Sequence, residues 1–205
     1  MNKKEWLNKF EQESDILDID TLYNNIYNPT TSAINCIIAI EEIAEFQQVI
    51  SKRIRYGDNY DRISFLEEMA DTLIGMIFVK HIMVFDGLST DPDPNSTIFK
   101  INYMLQNLDI AEKDTMNYYY SEYLKEIKES DLLLTTMGNL GLLQYLIQQN
   151  IQFPCTTLNS LMNIYTDCLY KIITIMNRLR FTKQEVYKAM NIKIHRHRDR
   201  LLKGE

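Results

Sequence analysis

The chain has 205 residues, 45% of them hydrophobic and 24% charged, which is typical of a soluble globular protein with one large domain or two small ones. Its net charge of −6 argues against a nucleic-acid duplex as the main partner, and no glycine pattern of a P-loop or dinucleotide site occurs. The three cysteines lack metal-ligand spacing, so we expect reduced thiols in a cytoplasmic protein. The N-terminal residues are polar and the apolar run 73–85 is too short for a bilayer, so we expect no membrane partner.

Helical periodicity dominates the chain and no clear alternating strand occurs, so we predict an all-α fold. The pattern predicts helices over residues 2–13, 15–27, 31–56, 61–86, 96–108, 111–128, 130–151, 156–180 and 182–202. Asn28-Pro29 precedes the third of these helices, and a turn at 56–59 separates the third from the fourth. The segment 87–95 is rich in turn-forming residues and is the best linker candidate.

Two pairs of acidic residues interrupt the apolar stripes of the helices over 31–56 and 61–86. Glu42 and Glu45 form the first pair, and Glu68 and Asp71 form the second. Residues three apart lie on one helix face, so antiparallel packing of the two helices would bring four carboxylates together. Such a cluster requires a cation, and Mg²⁺ prefers hard oxygen ligands. One pair alone would usually lie on a solvated surface, but two pairs on consecutive helices favour a metal site.

Gly75, one turn beyond Asp71, would let a ligand approach the helix backbone.

The two halves of the chain resemble diverged copies of one helical hairpin. Segment 40–50 can be laid on 137–147 at an offset of 97, and segment 68–73 on 164–169 at an offset of 96. The acidic positions change in the second copy, where Glu42 becomes Asn139, Glu45 becomes Leu142, Glu68 becomes Ile164 and Asp71 becomes Asp167.

From this pattern we expect residues 1–94 to form a half with the intact acidic motif. Residues 95–205 would form a degenerate half that packs on the first as one structural unit. The helices over 31–56 and 61–86 would pack antiparallel against those over 130–151 and 156–180, which gives a four-helix core.

The order Glu41-Glu42-x-x-Glu45, then 22 residues, then Glu68-x-x-Asp71 resembles the signature of the MazG-like all-α nucleoside triphosphate pyrophosphatases. That superfamily includes the dimeric dUTPases and the phage dCTP/dUTP pyrophosphatases. The resemblance implies Mg²⁺-dependent cleavage, with Mn²⁺ as an alternative cation, of a nucleoside triphosphate such as a dNTP to the monophosphate and pyrophosphate. It also implies a helical bundle made by pairing motif-bearing subunits, which here suggests a homodimer. By motif position, Glu42, Glu45, Glu68 and Asp71 would be metal ligands, and Glu41 an additional acidic residue.

Basic residues at two helix ends are candidates for binding the substrate. Lys52 and Arg53 end the first acidic helix, and Arg53 projects onto the face that carries the first acidic pair. The alternative is a cationic helix end favoured by the helix dipole. The tail helix resembles the Asn/Lys/Arg-bearing helix of the superfamily, which implies that Asn191, Lys193 and Arg196 bind the sugar or phosphates. A basic, solvated helix end is the alternative here too.

The sequence leaves competing functions open. The first is a Mg²⁺-dependent enzyme, in which the metal bridges carboxylates and phosphate oxygens and one carboxylate orients the attacking water. The second is a catalytically silent protein that binds a nucleotide or a partner, as the half-erased second copy suggests. A di-iron carboxylate bundle ranks last, because its Glu-x-x-His pairs are absent.

Overall fold

The computed structural model describes residues 2–26, 32–85, 123–124, 126–152 and 158–203. These residues form seven α-helices and a single 3₁₀ turn and contain no β-strand, which confirms the predicted all-α class. The helices are α1 (Lys3–Gln12), α2 (Ile19–Ile26), α3 (Ser32–Tyr56), α4 (Arg62–Phe85), α5 (Glu129–Gln152), α6 (Leu158–Arg178) and α7 (Lys183–Lys203), with the 3₁₀ turn at Gly57–Asn59. The helix over 96–108, most of that over 111–128 and the linker 87–95 lie outside the described residues. Within the described ranges, no helix combines the length and apolar composition that a bilayer crossing needs.

Helices α3 and α4 form an antiparallel hairpin across the short turn that joins them. Thr72 Oγ1 donates a hydrogen bond of 3.1 Å to the carbonyl oxygen of Glu42, which fixes the register of the two helices at the acidic residues. At Gly75 the helices approach so closely that an added Cβ would lie 3.1 Å from Ala39 Cα. The space beside Gly75 is therefore taken by α3, and the sequence-based idea that a ligand enters there is wrong.

Helices α5 and α6 also pair with each other, and α5 lies along α3. Gln47 Nε2 donates to Met137 O at 2.9 Å, and Gln144 Nε2 donates to Ile40 O at 2.8 Å. Residue numbers rise along α3 as they fall along α5, so these two helices are antiparallel. The buried apolar side chains of all these helices belong to one hydrophobic cluster.

The neighbours of α4 differ from those expected in the proposed four-helix core. Its main neighbour other than α3 is α7, whereas its contact with α6 is small. Residues 69–80 of α4 are all buried, so this helix requires cover on more sides than one antiparallel partner can supply. Helix α7 supplies it and runs parallel to α4, because Arg62 pairs with Glu185 at one end and Phe78 contacts His197 at the other.

The start of α7 is fixed by a capping box. Glu185 N donates to Thr182 Oγ1 at 3.2 Å, and Thr182 N donates to Glu185 Oε2 at 2.7 Å. The same carboxylate binds Arg62 of α4 at 2.7 Å. These contacts set the register of α7 on α4 and bring Lys193 opposite Asp71.

Candidate metal centre

Three carboxylates meet where α3, α4 and α7 pack together. Glu42 comes from α3, and Glu68 and Asp71 come from α4. Each offers an oxygen atom within 4.8 Å of the oxygens of the other two. Glu42 and Glu68 are half-buried, and Asp71 is only 3% exposed. Both residues of the second predicted pair and one residue of the first, Glu42, therefore aim carboxylates at a common point.

Several oxygens of this cluster lack a donor. Glu42 Oε2, Glu68 Oε2 and Asp71 Oδ1 are buried and accept no hydrogen bond from any residue that the structure describes. Leaving a buried carboxylate oxygen without a partner is costly, so native proteins almost always supply one. Closely spaced, unpaired carboxylate oxygens fit a hard divalent cation such as Mg²⁺, which takes oxygen ligands.

Two cationic residues of α7 lie at the same cluster. Lys193 forms an ion pair with Asp71, and its Nζ lies 4.0 Å from Glu67 Oε1. Arg196 is one turn further along α7, and its charge acts on Glu42. The tail residues that the sequence singled out thus include two that face the acidic cluster. Glu67, which directly precedes Glu68, is a neighbour of Lys193 that was not predicted from the sequence.

The electrostatics of the cluster favour the neutral forms of Glu42 and Glu68. Burial raises the pKa of Glu42, and the positive charge of Lys193 only partly opposes this. Burial likewise raises the pKa of Glu68 from 4.5 to about 7, with the negative charge of Glu45 adding to the effect. Burial also lowers the pKa of Lys193, a change to which the charge of Arg196 contributes. Without a metal the cluster is therefore poorly compensated, and a bound cation would relieve it.

Glu45 and Glu41 lie at the edge of the cluster. Both side chains are exposed. Three residues advance a helix by 300°, so Glu45 is rotated about 60° from Glu42 toward the solvent side, where Glu41 also lies. Glu45 remains close enough to Glu68 to raise the pKa of that carboxyl. The structure thus brings together three of the four predicted ligands, with Glu45 beside them.

Asn191 makes contacts with the chain itself. Its side chain is fully buried and donates to Ser14 O at 3.1 Å and Ile16 O at 2.8 Å. Its Oδ1 accepts a hydrogen bond of 2.8 Å from Asp18 N. With these bonds Asn191 fastens the loop between α1 and α2 onto α7, away from the acidic cluster.

Arg53 and Lys52 lie at the far end of α3. Arg53 is 8% exposed, and its guanidinium binds Asp58 at 2.8 Å and Glu129 at 2.7 Å. It lies roughly 16 Å along the helix from Glu42, at 1.5 Å per residue. Lys52 is exposed beside a groove of about 330 Å³ between α3 and α5. Neither residue therefore joins the carboxylate cluster.

The equivalent region of the second half holds a different set of partners. Asn139 Nδ2 donates to Asp167 Oδ2, and Lys171 Nζ lies 3.1 Å from the same oxygen. Lys171 is 7% exposed. Lys171 was not among the predicted site residues, although a lysine in an apolar helical stripe is a signal that could have identified it.

Comparison of the chain with protein-family models, with curated proteins and with solved structures gives no match. The resemblance to the MazG-like superfamily therefore rests on the order and spacing of the acidic residues and on the all-α context. Membership, and the homodimer that it implies, stay predictions.

Proposed function

We propose that the protein is a divalent-metal-dependent nucleotide pyrophosphohydrolase that converts a nucleoside triphosphate, such as a dNTP, to the monophosphate and pyrophosphate. The observation that supports it is the cluster of Glu42, Glu68 and Asp71, in which each residue has a buried oxygen without a donor. Lys193 forms an ion pair with Asp71, and the charge of Arg196 acts on Glu42. Carboxylates alone repel a triphosphate. A cation held between them and the phosphates removes this repulsion, and Mg²⁺ is the preferred ion, with Mn²⁺ as the alternative.

The residues of the centre have separate roles in this proposal. Glu42, Glu68 and Asp71 hold the cation. When bound, Mg²⁺ would polarise the phosphorus and lower the pKa of a bound water. Lys193 would leave Asp71 if that carboxylate held the metal, and with Arg196 it would bind phosphate oxygens.

Glu45 fits the task of orienting the attacking water. It is exposed and lies beside Glu68, so it can reach a water molecule without being needed in the buried cluster. The water attacks phosphorus, the anhydride bond to the pyrophosphate group breaks, and the proton passes to a carboxylate. We therefore expect Glu45→Gln to lower kcat more than it weakens Mg²⁺ binding.

Pyrophosphate release from a panel of nucleoside triphosphates, measured with Mg²⁺ and then with a chelator, tests the proposal. We expect metal-dependent release that Asp71→Asn abolishes and that Lys193→Ala slows through a raised KM. The matched control is Asp167→Asn/Lys171→Met, which removes the equivalent carboxylate of the second half together with its lysine and should keep activity. Absence of release from every triphosphate, or full activity in Asp71→Asn, would overturn the proposal.

A catalytically silent binding protein is the second candidate. The ion pair between Lys193 and Asp71 favours it, because an ammonium group already neutralises the most buried carboxylate. Equilibrium dialysis with labelled nucleotides separates the two functions. Binding without turnover in the presence of Mg²⁺ would support the silent protein and exclude the hydrolase.

A further inference from the structure

Contacts between the two halves are related by the same offset as their sequences. Gln47 donates to the carbonyl of Met137, and Gln144 donates to the carbonyl of Ile40. An offset of 97 converts Gln47 into Gln144 and Ile40 into Met137, so each hydrogen bond is the image of the other. Such reciprocity is the property of an interface between two like units related by a two-fold axis.

The correspondence continues at the acidic cluster. Asn139 and Asp167 take the sequence positions of Glu42 and Asp71, and they contact each other across the α5–α6 hairpin. In the first half the matching pair belongs to the carboxylate cluster. The two hairpins thus place the same pair of positions face to face, with different side chains.

One further position differs between the hairpins. An offset of 96 places Lys171 where the first half has Gly75. At Gly75 an added Cβ would lie 3.1 Å from Ala39 Cα, which is closer than ordinary van der Waals contact. At Lys171 the chain carries a buried side chain, and its ammonium lies 3.1 Å from Asp167 Oδ2.

We propose that the two halves are copies of one hairpin and that the Lys171 ammonium takes the place of the divalent cation in the second half. The inference rests on the metal centre proposed for the first half. One carboxylate remains at the second centre, and a single ammonium neutralises it. The two halves therefore meet the same need, a cation beside the aspartate at equivalent positions, in two ways. In the first half a metal binds, and in the second half the chain supplies the charge itself.

A restored second centre provides the first test. The variant Asn139→Glu/Ile164→Glu/Lys171→Ala rebuilds three carboxylates and removes the lysine, in a background where Glu68→Gln and Asp71→Asn disable the first centre. The dissociation constant for Mn²⁺ is measured by electron paramagnetic resonance. We expect binding at least about tenfold tighter than in the matched variant that keeps Lys171, because the ammonium repels the metal.

Equal Mn²⁺ binding with and without Lys171 would overturn the proposal, as would absence of binding in both folded variants. The wild-type chain is measured alongside. If it binds no Mn²⁺, the proposed function fails at the first centre, which is a different result from failure of the second-centre variant alone.

A stability cycle on the otherwise unchanged chain gives a second test that does not depend on the rebuilt site. We expect Lys171→Met and Asp167→Asn each to lower the urea midpoint and the double variant to recover most of the loss. The exposed pair Lys3 and Asp61, 2.8 Å apart, is the control and should show little coupling. Additive losses at Lys171 and Asp167 would overturn the proposal.

Discussion

Replacing Glu68 by glutamine is expected to make the metal-free protein more stable and its Mg²⁺ binding weaker. Glutamine has nearly the same shape as a protonated glutamate, so the substitution removes a charge and little else. Burial raises the pKa of Glu68 from 4.5 to about 7. In the metal-free protein, ionisation of this carboxyl therefore costs free energy that the uncharged glutamine does not.

The size of the effect and its pH dependence follow from this pKa. The folded-state pKa lies above the unfolded value, so the contribution of Glu68 to stability is complete below pH 4.5 and is lost as pH rises through about 7. A pKa difference of this size corresponds to about 3 kcal/mol. Glu68 is half-buried, and solvent screening reduces the expected gain of Glu68→Gln at pH 8 to about 1–2 kcal/mol. Near pH 4.5 the gain should vanish.

Urea denaturation at pH 5 and pH 8 measures this gain, first with a chelator and then with Mg²⁺. Free Mg²⁺ at 100 times its dissociation constant should stabilise the wild-type chain by about 2.7 kcal/mol and the variant by much less. Glu11→Gln is the control, because Glu11 is exposed on α1 and should change neither quantity. A variant that is less stable than wild type at pH 8 with chelator, or equally stabilised by Mg²⁺, would refute the reasoning.

Three further substitutions test helix packing, a buried ion pair and a helix end. Gly75→Ala should cost about 1–3 kcal/mol in urea denaturation, because the new Cβ would lie 3.1 Å from Ala39 Cα and force α3 and α4 apart. Arg53→Met should lower the free energy of unfolding by about 1–2 kcal/mol, because two charge-assisted hydrogen bonds are lost. The KM for pyrophosphate release should not change, and a raised KM would restore the predicted role of Arg53 in phosphate binding. Arg180 follows α6 with a φ of 55°, a backbone conformation that glycine adopts without strain. Arg180→Gly should therefore raise the free energy of unfolding by up to about 1 kcal/mol, and a lower melting temperature would contradict this.

The boundaries of the described helices were largely predictable, whereas the neighbour of α4 was not. Hydrophobic periodicity places α3 at 31–56, and the structure has Ser32–Tyr56. Periodicity shows which face of a helix is apolar, but residues 69–80 of α4 are buried on every side. The pattern therefore could not distinguish α6 from α7 as the main partner. The Arg62–Glu185 pair, which helps to decide it, joins distant parts of the chain.

The site shows where helical geometry alone is sufficient. The spacing of Glu68 and Asp71 and the antiparallel hairpin predict the carboxylate cluster, because the backbone fixes where short side chains point. Arg53 also shares the face of Glu42 by angle, but its long side chain bends to carboxylates near the end of its own helix and the start of α5. Long cationic side chains are therefore placed by the nearest acids, which the helix pattern does not specify.

The two lysines at the aspartates differ in a way that decides which half can exchange its cation. Lys171 lies four residues beyond Asp167 on α6, and among the described residues Asp167 is the one carboxylate with which it forms an ion pair. Lys193 reaches Asp71 from α7, and its ammonium also has Glu67 within 4.0 Å. A rotamer change can move this ammonium between carboxylates, or onto a phosphate, while both helices stay in place. Asp71 is therefore the aspartate whose cation can be replaced by a metal, which is what the proposed division between the two halves requires.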